Sequence, residues 1–309
     1  MTEAIPTRTL RIEPWLSADG VEACYLDCDG GALILKDGGR VILNERLEPL
    51  PLQDEAIGAS HAQRLPGGGY ALAWPRAMPG DNNLHLFDAE ARYRTKFPIG
   101  DGIKHMVVDR KGRIWVGYFD EGTGGYDPLS RYGLSRFDQN GRLEYRWDAE
   151  KFGWIIDCYA LTLEGADQAW VYAYADHFLA TVMDEKVSMV LSRTPVSLIS
   201  GVVVGHDTVG LLGGYDFLDA SDAPFVGWRV DPPHTDRMEF PRVKDPEPII
   251  KDSVVTILDL RTKERTQVQV LDETGSPLSF RHRATCRGNN AVCWTEKSIY
   301  RFTLDELKA

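Results

Sequence analysis

One unit recurs along the chain: an apolar run of about seven residues, a turn of Gly, Asp or Asn, and a second strand rich in aromatic and aliphatic side chains. Copies occupy residues 21–36, 60–74, 103–118, 156–174, 199–215 and 280–295. Each reads as a β-hairpin from its turn chemistry. Most turns lie about 40 to 50 residues apart, the length of a four-stranded propeller blade. Met106-Val107-Val108 and Ile114-Trp115-Val116 are apolar at consecutive positions. A sheet with one wet face would alternate, so these strands are expected between two neighbouring blades. In the third copy the turn 109–112 precedes strands at 113–119, 133–137 and 141–147, the last after the tight Gln139-Asn140-Gly141 turn. Long helical periodicity is absent. The expected fold is all-β, a six-bladed β-propeller spanning 1–309 as a single domain, a length that closed all-β folds reach as one unit.

After residue 280 the last copy has room for only three strands, and residues 9–15 offer an unassigned one. Pairing this N-terminal strand beside the last strand would close the ring and remove exposed sheet edges. The fifth copy is too long by about 30 residues against a standard blade. Its excess, 216–251, holds Pro232, Pro233, Pro241, Pro246 and Pro248 and reads as a long Pro-rich insertion loop in blade five. A seventh blade hidden there is the alternative.

Composition narrows the function classes. A net charge of −11 argues against nucleic acid and against anionic membrane as partners, since both need basic surface. No stretch approaches the roughly 20 apolar residues of a membrane span. The first residues, Met1-Thr2-Glu3-Ala4-Ile5-Pro6, lack a basic and then apolar leader. A cytoplasmic location is expected, and five cysteines without a C-x-x-C pair fit reduced thiols on strands.

On a propeller, the loops leading into each innermost strand and those leaving each second strand share one face. Counting back about seven residues from each first turn brings His61, His105 and His282 to one repeat position, three of the seven histidines. One residue earlier stand Glu22, Lys104, Asp157 and Arg281. The two sets form a single ring at the channel mouth. The second strands end on the same face with Trp74, with Tyr118-Phe119-Asp120-Glu121, with Asp176-His177 and with Tyr215-Asp216. One reading is a water-filled channel whose water satisfies these groups. The other is a ligand or metal site, because concave polar channel ends bind small molecules. Three imidazoles and a carboxylate (His61, His105, His282, Glu22) suit a divalent metal such as Zn²⁺ or Fe²⁺. Asp157, Asp120 and Glu121 are the acid/base candidates. Lys104 and Arg281 suit a substrate carboxylate, with Trp74, His177 and Tyr118 as further ligand contacts. Residues 122–132, rich in Gly and Tyr, read as a cover over the mouth. His85, His206 and His234 read as surface residues. Gly67-Gly68-Gly69 sits in a hairpin turn, not before a helix, and no nucleophile elbow, H-E-x-x-H, Walker A or EF-hand pattern is present.

The run Gly112-Arg113-Ile114-Trp115-Val116-Gly117-Tyr118-Phe119-Asp120-Glu121-Gly122 resembles a family of bacterial six-bladed propeller proteins. Ile156-Asp157-Cys158-Tyr159-Ala160-Leu161 and Gly213-Gly214-Tyr215 fit the same family, and together they extend the resemblance over about half the chain. It implies a fold and no established activity. More distantly, the sequence is similar to the SMP-30/gluconolactonase group, which implies a metal-dependent lactonase with a channel metal. Glu22 matches that group's first Glu, and Asp157 falls near a family Asn. The family's Asn-Asp pair is here Lys104-His105, and its later Asp falls near Ser200.

Two functions are therefore expected in competition. One is a module that binds a small molecule or a protein at the channel mouth. The other is a hydrolase or isomerase of lactonase type, in which a metal polarises a carbonyl or lowers the pKa of bound water to about 7.

Overall fold

The computed structural model describes residues 5–52, 58–174, 176–216 and 251–309. Six strands stand innermost: Ala23–Leu26, His61–Arg64, Ile103–Val108, Asp157–Glu164, Gly201–Gly205 and Ala284–Arg287. Each touches the next, and the last touches the first, so they ring a central channel. From each a sheet runs outward, giving the expected six-bladed propeller. No seventh blade is found among the described residues, and none of their helices is long and apolar enough to cross a membrane.

The paired apolar faces follow from this radial stacking. Buried side chains fall into six clusters, one at each blade interface. On the strand Ala32–Lys36, Ala32 and Ile34 face blade six while Leu33 and Leu35 face blade two. A period of two therefore buries four consecutive residues here, because both sides of the sheet are dry.

Many hairpins share one turn. Asp27, Asp88, Asp109, Asp138 and Asp272 each accept the backbone N–H groups two and four residues on through one carboxylate oxygen, at 2.8–3.0 Å. The residue three after each Asp has positive φ: Gly30, Ala91, Gly112, Gly141 and Gly275. Four of the five are glycine because the left-handed region costs it nothing.

The closure differs in detail from the expected single strand at 9–15. The N-terminal chain divides at Ile12-Glu13. Thr7–Arg11 pairs parallel to Arg265–Leu271 as a fifth strand of blade five, and Pro14–Ser17 pairs antiparallel to Ser298–Thr303 to complete blade six. Buried Ile12 packs between these two blades, so one segment staples two edges. Pro14 is tolerated because it sits on an outer strand. Of the Pro-rich segment 216–251, residues 217–250 lie outside the described residues. The chain leaves for it after Thr208–Leu212 and returns on Val254–Asp259, which are neighbours in blade five.

Candidate functional site

The top of the channel, where the inner strands begin, is girdled by hydrogen bonds from one blade to the backbone of the next. Thr285 Oγ1 donates to the Cys24 carbonyl at 2.6 Å, and Tyr25 Oη to Ser60 at 2.5 Å. His61 Nε2 donates to Lys104 at 3.2 Å, and His105 Nε2 to Tyr159 at 3.0 Å. A carbonyl only accepts, so each Nε2 carries the proton and the neutral ring is the form that fits. Burial pushes the His61 imidazole down to about 4. Burial, with the Lys104 charge adding to it, pushes His105 down to about 3. Both rings act as neutral crosslinks between blades.

The structure does not gather the expected quartet of His61, His105, His282 and Glu22 as a ligand set. His61 and His105 each commit Nε2 to a carbonyl, which leaves Nδ1, and His61 Nδ1 is buried without a hydrogen-bond partner in the protein. The Glu22 carboxylate accepts the Gly38 N–H with both oxygens at 2.9 Å. His282 is exposed and lies off the strand, in a turn, at φ +57°. Counting back from the last hairpin overshoots because its loop, Gly288-Asn289, is two residues long. Among the described residues no three His, Cys, Asp or Glu side chains gather as metal ligands. The Lys104 ammonium, whose charge reaches both His105 and His282, further opposes a cation.

What the top mouth does form is an open cavity of about 510 Å³ whose wall includes Glu22, Lys104, Tyr159, Asp252, Arg281 and His282. Its size is typical of small-molecule sites. Lys104 Nζ stands 3.8 Å from Asp157 Oδ2 and 5.3 Å from the centre of the Tyr159 ring. Burial raises the Asp157 carboxyl to about 6; Lys104 opposes this and Asp120 adds to it. Asp157 Oδ1 has no hydrogen-bond partner in the protein. Arg281 forms no ion pair among the described residues. The His282 imidazole is held below its ordinary pKa by burial, then by Lys104 and Arg281, against a smaller opposing pull from Asp252. At that ring, positive charge outweighs negative. Lys104 and Arg281 share this wall with two carboxylates, Glu22 and Asp252.

Of the other predicted contacts, few reach this wall. Asp157 is buried behind Lys104 and does not line the cavity. Asp120 is exposed and acts on the site only through its charge on Asp157. Glu121 is paired with Arg76, which also holds Asp101 at 3.0 Å. Tyr118 is fully buried and donates to the Ile99 carbonyl at 2.6 Å. Trp74 packs against His85, with ring centres 4.7 Å apart, so His85 is a packed residue and not a surface one. Tyr172 Oη donates to the Val196 carbonyl at 2.9 Å and so accepts from His177 Nδ1, also at 2.9 Å, and His177 stacks parallel to Tyr159. Burial holds it at about 4. The expected cover is pinned to its neighbours: Thr123 Oγ1 donates to Ile156 and Ser130 Oγ to Asp101, both at 2.6 Å. Sequence reasoning missed Tyr159, Asp252 and Trp294 on the wall. Tyr159 was legible as the aromatic that follows Asp157-Cys158 into an inner strand.

The motif at 115–122 is explained by packing. Trp115 Nε1 donates to Asp109 at 3.3 Å. A Cβ on Gly117 would lie 2.5 Å from Cys158 Sγ, and one on Gly122 would lie 2.4 Å from the Asp101 carbonyl oxygen.

No protein-family model matches the chain, and no curated protein matches it by sequence. Solved structures match over nearly the whole chain. A streptogramin B lyase is 8% identical with a TM-score of 0.50, covering 91% of this chain and 78% of its own. Virginiamycin B lyase from Staphylococcus aureus is 10% identical with a TM-score of 0.50, over 94% and 98%. A gluconolactonase from Xanthomonas campestris is 10% identical with a TM-score of 0.50, over 93% and 86%. At such identities the likeness is one of fold.

Proposed function

We propose that the top mouth of this propeller binds a small organic anion without a metal, Lys104 and Arg281 holding its carboxylate or equivalent group. One observation carries this reading. The two cations share the wall of one cavity, Arg281 has no ion pair among the described residues, and the nearest partner of Lys104 is a carboxyl that burial raises to about 6. Tyr159 adds flat apolar surface for the rest of the molecule.

A hydrolytic reading in the manner of the gluconolactonase neighbour is favoured by one further feature. His282 stands on the cavity wall, unprotonated near pH 7, where it can take a proton from a water beside a bound ligand. In that reading Lys104 and Arg281 hold the substrate and Asp157 positions Lys104.

The test is a thermal-shift and calorimetric screen of the full chain against gluconate, citrate and neutral glucose at constant ionic strength. Binding of an acid but not of glucose, weakened about 10- to 100-fold by Lys104→Met or Arg281→Met, is the expected result. Equal affinity in both variants would overturn the assignment. Turnover of gluconolactone lost in His282→Gln, with gluconate affinity retained, would select the hydrolytic reading.

A further inference from the structure

The opposite end of the channel holds a second cavity of about 520 Å³, where the inner strands end. Arg287, the last residue of the inner strand Ala284–Arg287, lines it. Its side chain is buried, with 9% of the residue exposed, yet both terminal nitrogens, Nη1 and Nη2, lack a hydrogen-bond partner in the protein. A guanidinium does not shed its proton at physiological pH, so this is a charge taken out of water without a counter-charge in contact. Such a charge costs several kcal/mol unless something pairs with it.

Among the described residues, none of the protein's own carboxylates nearby forms an ion pair with Arg287, and each faces another partner. Asp27 accepts the N–H groups of Asp29 and Gly31 through Oδ1, while its Oδ2 faces Arg64 Nε at 3.6 Å and has no hydrogen-bond partner. Asp109 accepts from the Lys111 and Arg113 backbones, from Arg113 Nε at 2.7 Å and from Trp115 Nε1. Both act on Arg287 through space, without an ion pair. Glu164 receives the Trp170 indole at 2.9 Å, and Asp305 pairs with Lys308 at 3.1 Å. Arg110 lies on the same wall and uses only Nη2, toward the Cys28 carbonyl at 3.3 Å. Its remaining donors are free to turn to a second group in the cavity.

We infer that the bottom mouth is a second anion site, in which the two terminal nitrogens of Arg287 grip two oxygens of a small oxyanion and Arg110 adds a contact from the rim. The planar fork of a guanidinium matches the spacing of two oxygens on a carboxylate or a phosphate. The burial of Arg287 keeps those hydrogen bonds from exchange with bulk water. The cavity is large enough for the anion to carry an organic substituent, so free phosphate and a phosphorylated or carboxylated molecule share one chemistry here.

The experiment is a calorimetric titration of the full chain with inorganic phosphate and separately with citrate, at ionic strength held constant with sodium chloride. Wild type is expected to bind at least one of the two. Arg287→Met, similar in length and free of charge, should weaken that binding about 10- to 100-fold, and Arg110→Ala should weaken it less. Arg287→Lys should also bind more weakly, because a point charge replaces a fork. A Lys104→Met background, with the top mouth weakened, should keep the phosphate binding that Arg287→Met removes, which separates this site from the one proposed above. Unchanged affinity in both Arg287 variants, or no binding of either anion by folded wild type, would overturn the proposal. If Arg287→Met fails to fold, Arg110→Ala and Arg287→Lys decide it: no loss in either refutes the site.

Discussion

Replacing His61 by glutamine should flatten the acid side of the stability profile. The exchange keeps a donor for the Lys104 carbonyl and removes the titrating ring. In the folded chain His61 is held at about 4, against about 6.5 in the unfolded chain. The folded value is the lower one, so the unfolded state takes the proton first. The contribution of the ring is complete above about pH 6.5 and is lost as pH falls toward 4. Between about pH 8 and pH 5 this amounts to roughly 2 kcal/mol for a group this buried. His105 loses stability in the same direction. Asp157, whose folded carboxyl is raised, gains stability on acidification over the window from about 6 to 3.8. Both are common to the two proteins and cancel in the comparison. Urea unfolding followed by tryptophan fluorescence at the two pH values gives the quantity needed. Wild type should lose about 2 kcal/mol more than His61→Gln on going from pH 8 to pH 5. Equal losses in both proteins would refute the reasoning, since the ring would then titrate near its free value and would not be a sealed crosslink.

Other outcomes follow from the same geometry. Asp157 ionises as pH rises through about 6 and offsets the Lys104 charge, so an anion ionised throughout should bind more weakly at pH 7.5 than at pH 5. In Asp157→Asn that slope should flatten and affinity at pH 7.5 should rise several-fold, by roughly 1 kcal/mol, as calorimetry at the two pH values would read. Gly117→Ala drives a methyl to within 2.5 Å of Cys158 Sγ between blades three and four. It should cost about 1–3 kcal/mol in urea unfolding, and pairing it with Cys158→Ala should return part of that loss.

The fold was legible because a propeller repeats its grammar: six hairpins, each with a turn that needs Gly or Asp, and strands apolar on both faces. The closing segment was legible as a need for one more strand but not as two, because only Ile12, buried between blades, marks where the chain changes sheets. The site was legible as a ring, and the roles within it were not. His61 and His105 share a repeat position because each bonds the next blade's carbonyl, a role that spacing alone cannot distinguish from metal ligation. Lys104 and Arg281 were identified at the mouth, and the structure sets both on one wall. Asp157 was identified too, yet its carboxyl turns behind Lys104. Arg287 carries no sequence signal, since its unpaired nitrogens follow from which neighbouring carboxylates are already engaged.

Lys104 and Arg281 are proposed to read one anion at the top of the channel. A crystal structure of the full chain grown with the tightest acid from the screen tests this directly. The account predicts the acid group within hydrogen-bonding distance of both Lys104 Nζ and the Arg281 guanidinium, with the remainder against Tyr159. An acid group seated elsewhere, or a metal held by Glu22 and His105, would contradict it.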